Sequence, residues 1–391
     1  SMQKPSQKFP EIDFEIFNRP NLGSRFPKTF PLIRAKLPNS EPICRVLEGP
    51  IGRPDTPHDG GWFHSNAEGF PHMDSCVFRG EYPFAWLYFH CSKLPLEITL
   101  EAYNPFIPSD ADASGIPCAI LKYCVKNSSS TPAEVSILWS MLNISGFGSE
   151  ESQKYRNKWN YQSPGQFFNM PIKEKELQGI LFGNNNHADD SPLFGNLALV
   201  SPDKNISITT NWKNGPWFSS HYHIWNFFKQ QGKLEAFQGS TFGGPDAGAI
   251  AITKTINPGK TETFTFYITW YHPNFEKYWQ LQKASLNKKP QWRNYYATQY
   301  EDALDVALKL HQNEQKYHEL TKRFHDALFS STLPPYILES IACNMAILKT
   351  TTCLRLEDGT FYGWEGCHPS EGCCEGRSEE HTSELQSRQV I

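Results

Sequence analysis

The stretch TETFTFYITWY, Thr261–Tyr271, decides the fold class. In it Glu262, Phe264, Phe266, Ile268 and Trp270 alternate with Thr261, Thr263, Thr265, Tyr267, Thr269 and Tyr271. A period of two sustained over this length predicts a strand with one apolar face on a core and a hydroxyl-rich face outward. Asn257-Pro258-Gly259 supplies a turn before it, which predicts pairing with a preceding strand, Ala249–Ile256. Similar segments recur at Pro83–Cys91, Leu96–Ala102, Cys118–Lys126, Glu134–Leu142, Ile180–Phe182, Leu197–Val200 and Ile206–Trp212. Phe84–Cys91 is apolar on both faces, as an interior strand is. Residues from about 10 to 275 therefore read as one all-β region of two large packed sheets, a β-sandwich.

Beyond it the period changes. Ala303, Ala307, Leu310, Tyr317, Leu320, Phe324 and Leu328 recur at steps of three, four and seven. They form one stripe on a helix from about Gln299 to Leu328, roughly 45 Å long at about 1.5 Å per residue. This helix is expected to lie along the sandwich as a linker. Leu333-Pro334-Pro335 ends it, and Tyr336–Leu348 reads as a second helix opened by proline. A hairpin is expected from Thr352–Glu357 and Thr360–Gly363 around Asp358-Gly359. Arg377–Ser387, RSEEHTSELQS, has no apolar period, and it matches a common short-read sequencing adapter translated in one frame. Residues 377–391 are thus expected to be a non-native tail outside the fold.

Composition excludes several classes of function. The chain has 391 residues, 14% of them aromatic, and a net charge of only −4. Its basic residues are scattered and make no stripe that tracks a phosphate backbone, which argues against a nucleic-acid partner. No apolar run approaches the length of a transmembrane segment. Cys44, Cys76, Cys91, Cys118 and Cys124 are far apart and embedded in apolar strands, where a thiol behaves as a small hydrophobe. Three sequons, at Asn127, Asn143 and Asn205, matter only in a secreted eukaryotic protein. The compartment stays open.

Several stretches, in order, resemble glycoside hydrolase family 116, which includes bacterial β-glucosidases and the non-lysosomal glucosylceramidase. They are FEIFNRP (Phe14–Pro20), IRAK (Ile33–Lys36), RVLEG (Arg45–Gly49) and GEYPFAWLYF (Gly80–Phe89). LEAYNPFIPSDADASGIPCAI (Leu100–Ile120), NPGKTETFTFYITWYHPNF (Asn257–Phe275), DALFSSTLP (Asp326–Pro334) and CLRLEDGTFYGWEGC (Cys353–Cys367) follow. The resemblance implies an N-terminal β-sandwich joined to an (α/α)₆ barrel that carries retaining β-glycoside hydrolysis. It also implies a glycine-rich segment ahead of Phe14 and, past the double cysteine, a Thr-His-Val-Trp-Asn segment before the catalytic pair. Neither is present, so both ends are expected to be truncated.

Retaining glycosidases need two carboxyl groups about 5 Å apart. The acids late in the chain are Glu357, Asp358, Glu365 and Glu371. Glu365 is the catalytic candidate among them, because Trp364 beside it can stack on a sugar and is the substrate-adjacent candidate. The competing reading has Asp358 making the hairpin turn and Trp364-Glu365 ordering the barrel mouth. The resemblance favours the latter, since it implies a catalytic pair downstream and none in this chain. Cys367, Cys373, Cys374 and His368 lack the paired spacing of a zinc site, so no metal is expected. Asp110 and Asp112 lack the glycine and distal glutamate of a helix-loop-helix calcium site and read as a solvated turn. His221 and His223 in HYHIW read as one face of a strand. Trp212, Trp217, Phe218, Tyr222, Trp225, Phe227 and Phe228 read as core before sugar platform, and Asn185–Asp190 as a polar turn.

The expected organisation is a sandwich at 1–275, a linker with the long helix at 276–332, the beginning of the catalytic barrel at 333–376 and the tail at 377–391. The expected function is a fragment of a retaining β-glycoside hydrolase acting on β-glucosides or glucosylceramide-like glycosides. No cofactor is expected, and the glycoside is the partner of the parent enzyme. The alternative is a non-catalytic carbohydrate-binding or structural β-sandwich protein.

Overall fold

The computed structural model describes residues 28–50, 67, 69–145, 167–174, 176–213, 219–236, 247–276, 291–349 and 353–363. The chain runs β1 (Phe30–Lys36), β2 (Ile43–Val46), β3 (Ser75–Glu81), β4 (Phe84–His90), β5 (Leu96–Tyr103), the single turn α1 (Ala111–Ser114), β6 (Cys118–Asn127) and β7 (Ala133–Leu142). Next come β8 (Phe167–Lys173), β9 (Gln178–Asn184), β10 (Asn196–Ser201), β11 (Ile206–Thr209), α2 (Ser219–Gln231), β12 (Ala247–Ile256) and β13 (Thr261–Tyr271). The last elements are β14 (Asn274–Glu276), β15 (Gln291–Arg293), α3 (Ala303–Phe329), α4 (Pro335–Ala346), β16 (Cys353–Arg355) and β17 (Phe361–Gly363).

Two antiparallel sheets dominate. One has the order β11-β12-β7-β1-β2, the other β3-β4-β5-β6-β13-β10-β9-β8. A single core joins them: Ile33, Val135, Ile137 and Ile252 of the smaller sheet meet Ile98, Leu121, Tyr123, Ile180, Leu199, Phe264 and Phe266 of the larger. Trp139 donates through Nε1 to the Tyr123 hydroxyl across this core at 3.0 Å. Burying each of Phe264 and Phe266 stabilises the fold by about 2–3 kcal/mol.

The strand Thr261–Tyr271 has the predicted bounds, but it does not pair with the strand before it. β12 lies between β7 and β11 in one sheet, and β13 lies between β6 and β10 in the other. The turn Asn257-Pro258-Gly259 is therefore an arch between sheets. The residues from β6 to β7 form a second such arch, and Asn127 locks the two together. Its backbone N–H donates to Lys260 O, its carbonyl accepts from Gly259 N, and its side-chain amide donates to Ile256 O and Thr131 O.

The second correction concerns the hydroxyl face of β13. Tyr267, Thr269 and Tyr271 are buried, because α3 lies on the outer face of the larger sheet. Ala303, Val306, Ala307 and Leu310 of that helix are fully buried against Ile120, Ala198, Val200 and Tyr267. The Thr269 hydroxyl donates to Ala303 O at 2.6 Å, so the buried hydroxyl is satisfied by the helix that covers it, while Asn196 Oδ1 accepts from Ala303 N at 2.8 Å. Asp302 caps α3 by accepting from Asp305 N at 2.7 Å.

The third correction is HYHIW, which is helical. His221, Ile224, Trp225 and Phe228 recur at the spacing of one helix face, and Ile224 and Phe228 are buried. α2 and the turn after it cover the outer face of the smaller sheet. There Arg34 is fully buried and donates to the carbonyls of Lys229 and Gln230 at the helix's end and to Glu134. The strand expected at Ile206–Trp212 stops at Thr209, and Trp212 turns inward, its indole N–H donating to the Ser140 hydroxyl at 3.0 Å.

Candidate functional site

Besides the face covered by α3, the elements after the sandwich converge on the loop between β5 and β6. Asn104 opens that loop and pins its far end, its amide donating to Ile116 O at 3.1 Å and Cys118 O at 2.7 Å. Asp110 accepts from Ala113 N at 2.9 Å and so starts α1. The Ser114 hydroxyl closes the loop, donating to Ile107 O and accepting from Ile107 N.

Lys349 reaches into the loop from the 3-10 turn after α4. Its ammonium donates to Asn104 Oδ1, to Pro105 O at 2.9 Å and to Ser114 O. Burial pushes its pKa down to about 8, against a smaller upward pull from the Cys118 thiol. Arg355 of β16 binds Asp112 Oδ1 at 2.6 Å and lies 3.4 Å over the Tyr295 ring. Asp112 is exposed, as a solvated turn requires, and also pairs with the hairpin. From α3, Thr321 accepts from Phe106 N at 3.1 Å, and Phe324 meets the Phe106 ring edge-on at 5.0 Å. The loop therefore joins the sheet, the long helix and the hairpin.

The hairpin forms around Asp358-Gly359 as expected. Asp358 Oδ1 accepts from Thr360 N at 2.9 Å, which holds its carboxyl below the usual range, and Gly359 takes φ +86°. Glu357 and Asp358 are exposed, and Glu357 N donates to Arg293 O. Leu354 and Leu356 bury the hairpin's inner face against Phe275 and Trp292. Trp364 and Glu365 follow in sequence and lie outside the described residues, as do Glu371, Cys367, His368, Cys373 and Cys374.

Half-buried carboxylates cluster between α3 and the outer face of the larger sheet, where each has a partner. Glu101 takes His318 Nε2 at 2.9 Å and Trp86 Nε1 at 3.1 Å. Glu81 binds Arg79 at 2.7 Å and His325 at 2.9 Å. Glu314 binds Lys122 at 2.5 Å and accepts from the Tyr103 hydroxyl at 2.5 Å. Burial raises the Glu101 pKa, but the bonds from His318 and Trp86 outweigh it and hold the carboxyl low. Arg79 does the same for Glu81 more simply, by its hydrogen bond. These groups clamp a helix to a sheet, and no local pattern marks them, because Tyr103–Glu314, Glu101–His318 and Glu81–His325 are 211, 217 and 244 residues apart.

The other sequence candidates serve the fold. Asn127 and Asn143 are buried with their amides bound to backbone carbonyls, and Asn205 donates to Thr253 O. Asn274 holds the Asn185–Asp190 turn through Asp189 O and Ser191 O. Trp212, Ile224 and Phe228 are core, and Trp225 stacks on Phe70, while Trp217 and Phe218 lie outside the described residues. Among the described residues no three metal-ligating side chains converge, and no helix is long and apolar enough to cross a membrane.

Two concavities occur beside α2. The first, of about 30 Å³, is lined by Thr209, Trp212, His223, Phe227 and Glu235 among others, and it has a single carboxylate. The second, of about 280 Å³, is lined by Pro42, Cys44, Arg45, Lys93, Trp225 and Lys229 among others, and it has none.

The family described as "beta-glucosidase 2, glycosyl-hydrolase family 116 N-term" matches residues 28–317. Among solved structures, the chain is similar to a putative kojibiose phosphorylase from human microbiome, at 11% identity over 76% of this chain and 27% of that one, TM-score 0.32. It is also similar to a GH36 alpha-galactosidase from Geobacillus stearothermophilus (8% identity, 61% of this chain, 30% of that one, TM-score 0.26). A heparan sulfate lyase mutant from Pedobacter heparinus matches at 8% identity over 66% of this chain and 35% of that one, TM-score 0.26. The chain spans about a quarter to a third of the length of these proteins.

Proposed function

The chain belongs to glycoside hydrolase family 116 across both sheets and half of the long helix, and from that premise we propose that it is the front part of a retaining β-glycosidase. Its substrates are β-glucosides or glucosylceramide-like glycosides. Residues 1–275 are the sandwich, 276–332 the linker, 333–376 the beginning of the (α/α)₆ catalytic domain, and 377–391 lie outside the fold. The family match over 28–317 carries the reading.

Retaining hydrolysis uses one carboxylate as nucleophile and a second as acid/base, about 5–5.5 Å away. The acids of the late hairpin and of the helix–sheet clamp do not suit those tasks. Glu357 and Asp358 are exposed at a turn, and Glu81, Glu101 and Glu314 are bound to cations and histidines beneath a helix. As the family resemblance implies, the catalytic pair belongs downstream of this segment, and Trp364 and Glu365 belong to the mouth of the barrel. The loop Asn104–Gly115 with Lys349 and Arg355 acts by position, fixing the hairpin from which residues 364–376 depart.

The purified 391-residue chain is expected not to turn over an aryl β-glucoside. Turnover that Glu365→Gln abolishes would place the nucleophile within the chain and sink the assignment. The reading also fails if genomic DNA past the codon for Gly376 encodes no long helical region in frame.

A further inference from the structure

The larger concavity has a chemistry that the glycosidase reading does not use. It lies at the β2 edge of the smaller sheet, between β2, the segment before β3 that bridges to Val46, the turn between β4 and β5, and the last turn of α2. Arg45 of β2, Lys93 of the turn and Lys229 of α2 all line it, together with Trp225, Pro42, Ile43, Cys44 and Pro71. Three cations from three separate elements thus converge on one groove.

Their charge is little offset. Among the described residues, neither Lys93 nor Lys229 has an acidic partner. Arg45 donates to Cys44 O at 2.8 Å and shares the field of Asp74, whose carboxylate is bound to Ser92. Glu48 lies 3.7 Å from His72. The negative end of α2 would oppose an anion here. Arg34 removes that objection, because it already binds the carbonyls of Lys229 and Gln230.

Trp225 is the groove's aromatic wall, and it is fixed. Its ring stacks on Phe70 with centroids 4.4 Å apart and planes 18° from parallel. An aromatic wall suits the apolar C–H face of a sugar, and the cations suit an acidic substituent. At 280 Å³ the space is just below the range of ordinary ligand clefts, about 300–1,000 Å³, and so takes a single charged ring.

We propose that this groove binds an anionic saccharide, a sugar ring bearing a carboxylate or phosphate, with Trp225 as the platform and Arg45, Lys93 and Lys229 as counter-charges. The proposal does not depend on where the glycosidase carboxylates lie.

Calorimetric titration of the 391-residue chain tests it, with glucuronate, glucose 6-phosphate, glucose and inorganic phosphate as probes. Glucuronate and glucose 6-phosphate are expected to bind at least about tenfold more tightly than glucose or inorganic phosphate, a difference of ~1.4 kcal/mol. Their affinity is expected to fall as salt rises and screens the cations. Lys93→Ala, at an exposed turn, weakens both acidic sugars while the melting temperature stays unchanged. Trp225→Ala weakens them but leaves the affinity for inorganic phosphate as it was. Equal affinity for glucose, equal affinity for inorganic phosphate, or no binding by the folded chain would each overturn the proposal. So would acidic-sugar binding that is indifferent to Lys93→Ala.

Discussion

Gly232 and Gly259 share a left-handed backbone, with φ of +66° and +70°, yet they occupy opposite surroundings. A Cβ on Gly259 would meet nothing within 4 Å, whereas one on Gly232 would lie 2.7 Å from both Arg34 Nη1 and Ser136 Oγ. Gly259→Ala therefore isolates the conformational cost of an L-residue in this region, about 1 kcal/mol. Gly232→Ala adds a collision with the buried guanidinium, and its total cost is expected near 3 kcal/mol. Urea unfolding midpoints check the order, and an equal shift for the two variants would refute the role assigned to Arg34. Asn127 is a second test at this scale. Asn127→Ala leaves the carbonyls of Ile256 and Thr131 without its amide, and Ser129 N without its acceptor. A loss of about 2 kcal/mol is expected in the same assay. Lone residues of this kind were invisible in the sequence: Asn127 looks like a sequon, and nothing in NSSST reveals that it ties two arches together.

Whole elements were legible where one face alone is apolar and local. Thr261–Tyr271 is legible to the residue, because its alternation is uninterrupted. β3 leaves no such mark in the sequence, because Val77 and Phe78 are 61% and 66% exposed on an edge strand and follow no core period. α2 reads as a strand because histidine and aromatics suit one by propensity, although the spacing of His221, Ile224, Trp225 and Phe228 is helical. α3 was read as a helix along the sandwich, but its ionic clamp was not, since pairing across some 200 residues leaves no local trace. That clamp has a pH signature. Glu81 and Glu101 have folded pKa values held below the ordinary 4.5. A depressed carboxyl contributes stability that is present above the unfolded value and is lost as pH falls through the folded one. Attachment of α3 should thus be constant from neutrality to about pH 5 and weaken below about 4.5. Trp86, which donates to Glu101, reports the change by fluorescence. The double variant Glu81→Gln/Glu101→Gln is expected to be less stable at pH 7 and to show a smaller loss between pH 5 and pH 3. An unchanged acid profile in that variant would assign the loss to other groups.

At the scale of the whole molecule, the chain holds two different kinds of surface. The sheets are covered on their outer faces, by α2 on one side and α3 on the other, and their shared core is continuous. Among the described residues, the apolar side chains these faces leave open are few, Val77 and Phe78 of the β3 edge foremost. α4 is different. Leu333, Tyr336, Ile337, Ile347 and Leu348, at or just beyond its ends, are between 36% and 68% exposed, while only Leu338 and Ala342 within it are buried. An apolar surface left open beside a closed one is expected to drive association between copies of the chain. The sandwich is expected to contribute less, because its outer faces are occupied by α2 and α3. The separation can be tested by replacing Leu333, Tyr336 and Ile337 together with serine. All three are surface positions, so each change should move stability by no more than about 0.5 kcal/mol. The expected result is a shift from aggregates to monomer in analytical ultracentrifugation, with the melting temperature of the sandwich preserved. If the 391-residue chain is already monodisperse, the α4 surface is not the liability that its exposure implies. If the triple variant still associates, the contact lies elsewhere, and the exposed Val77 and Phe78 of the β3 edge are the next surface to change.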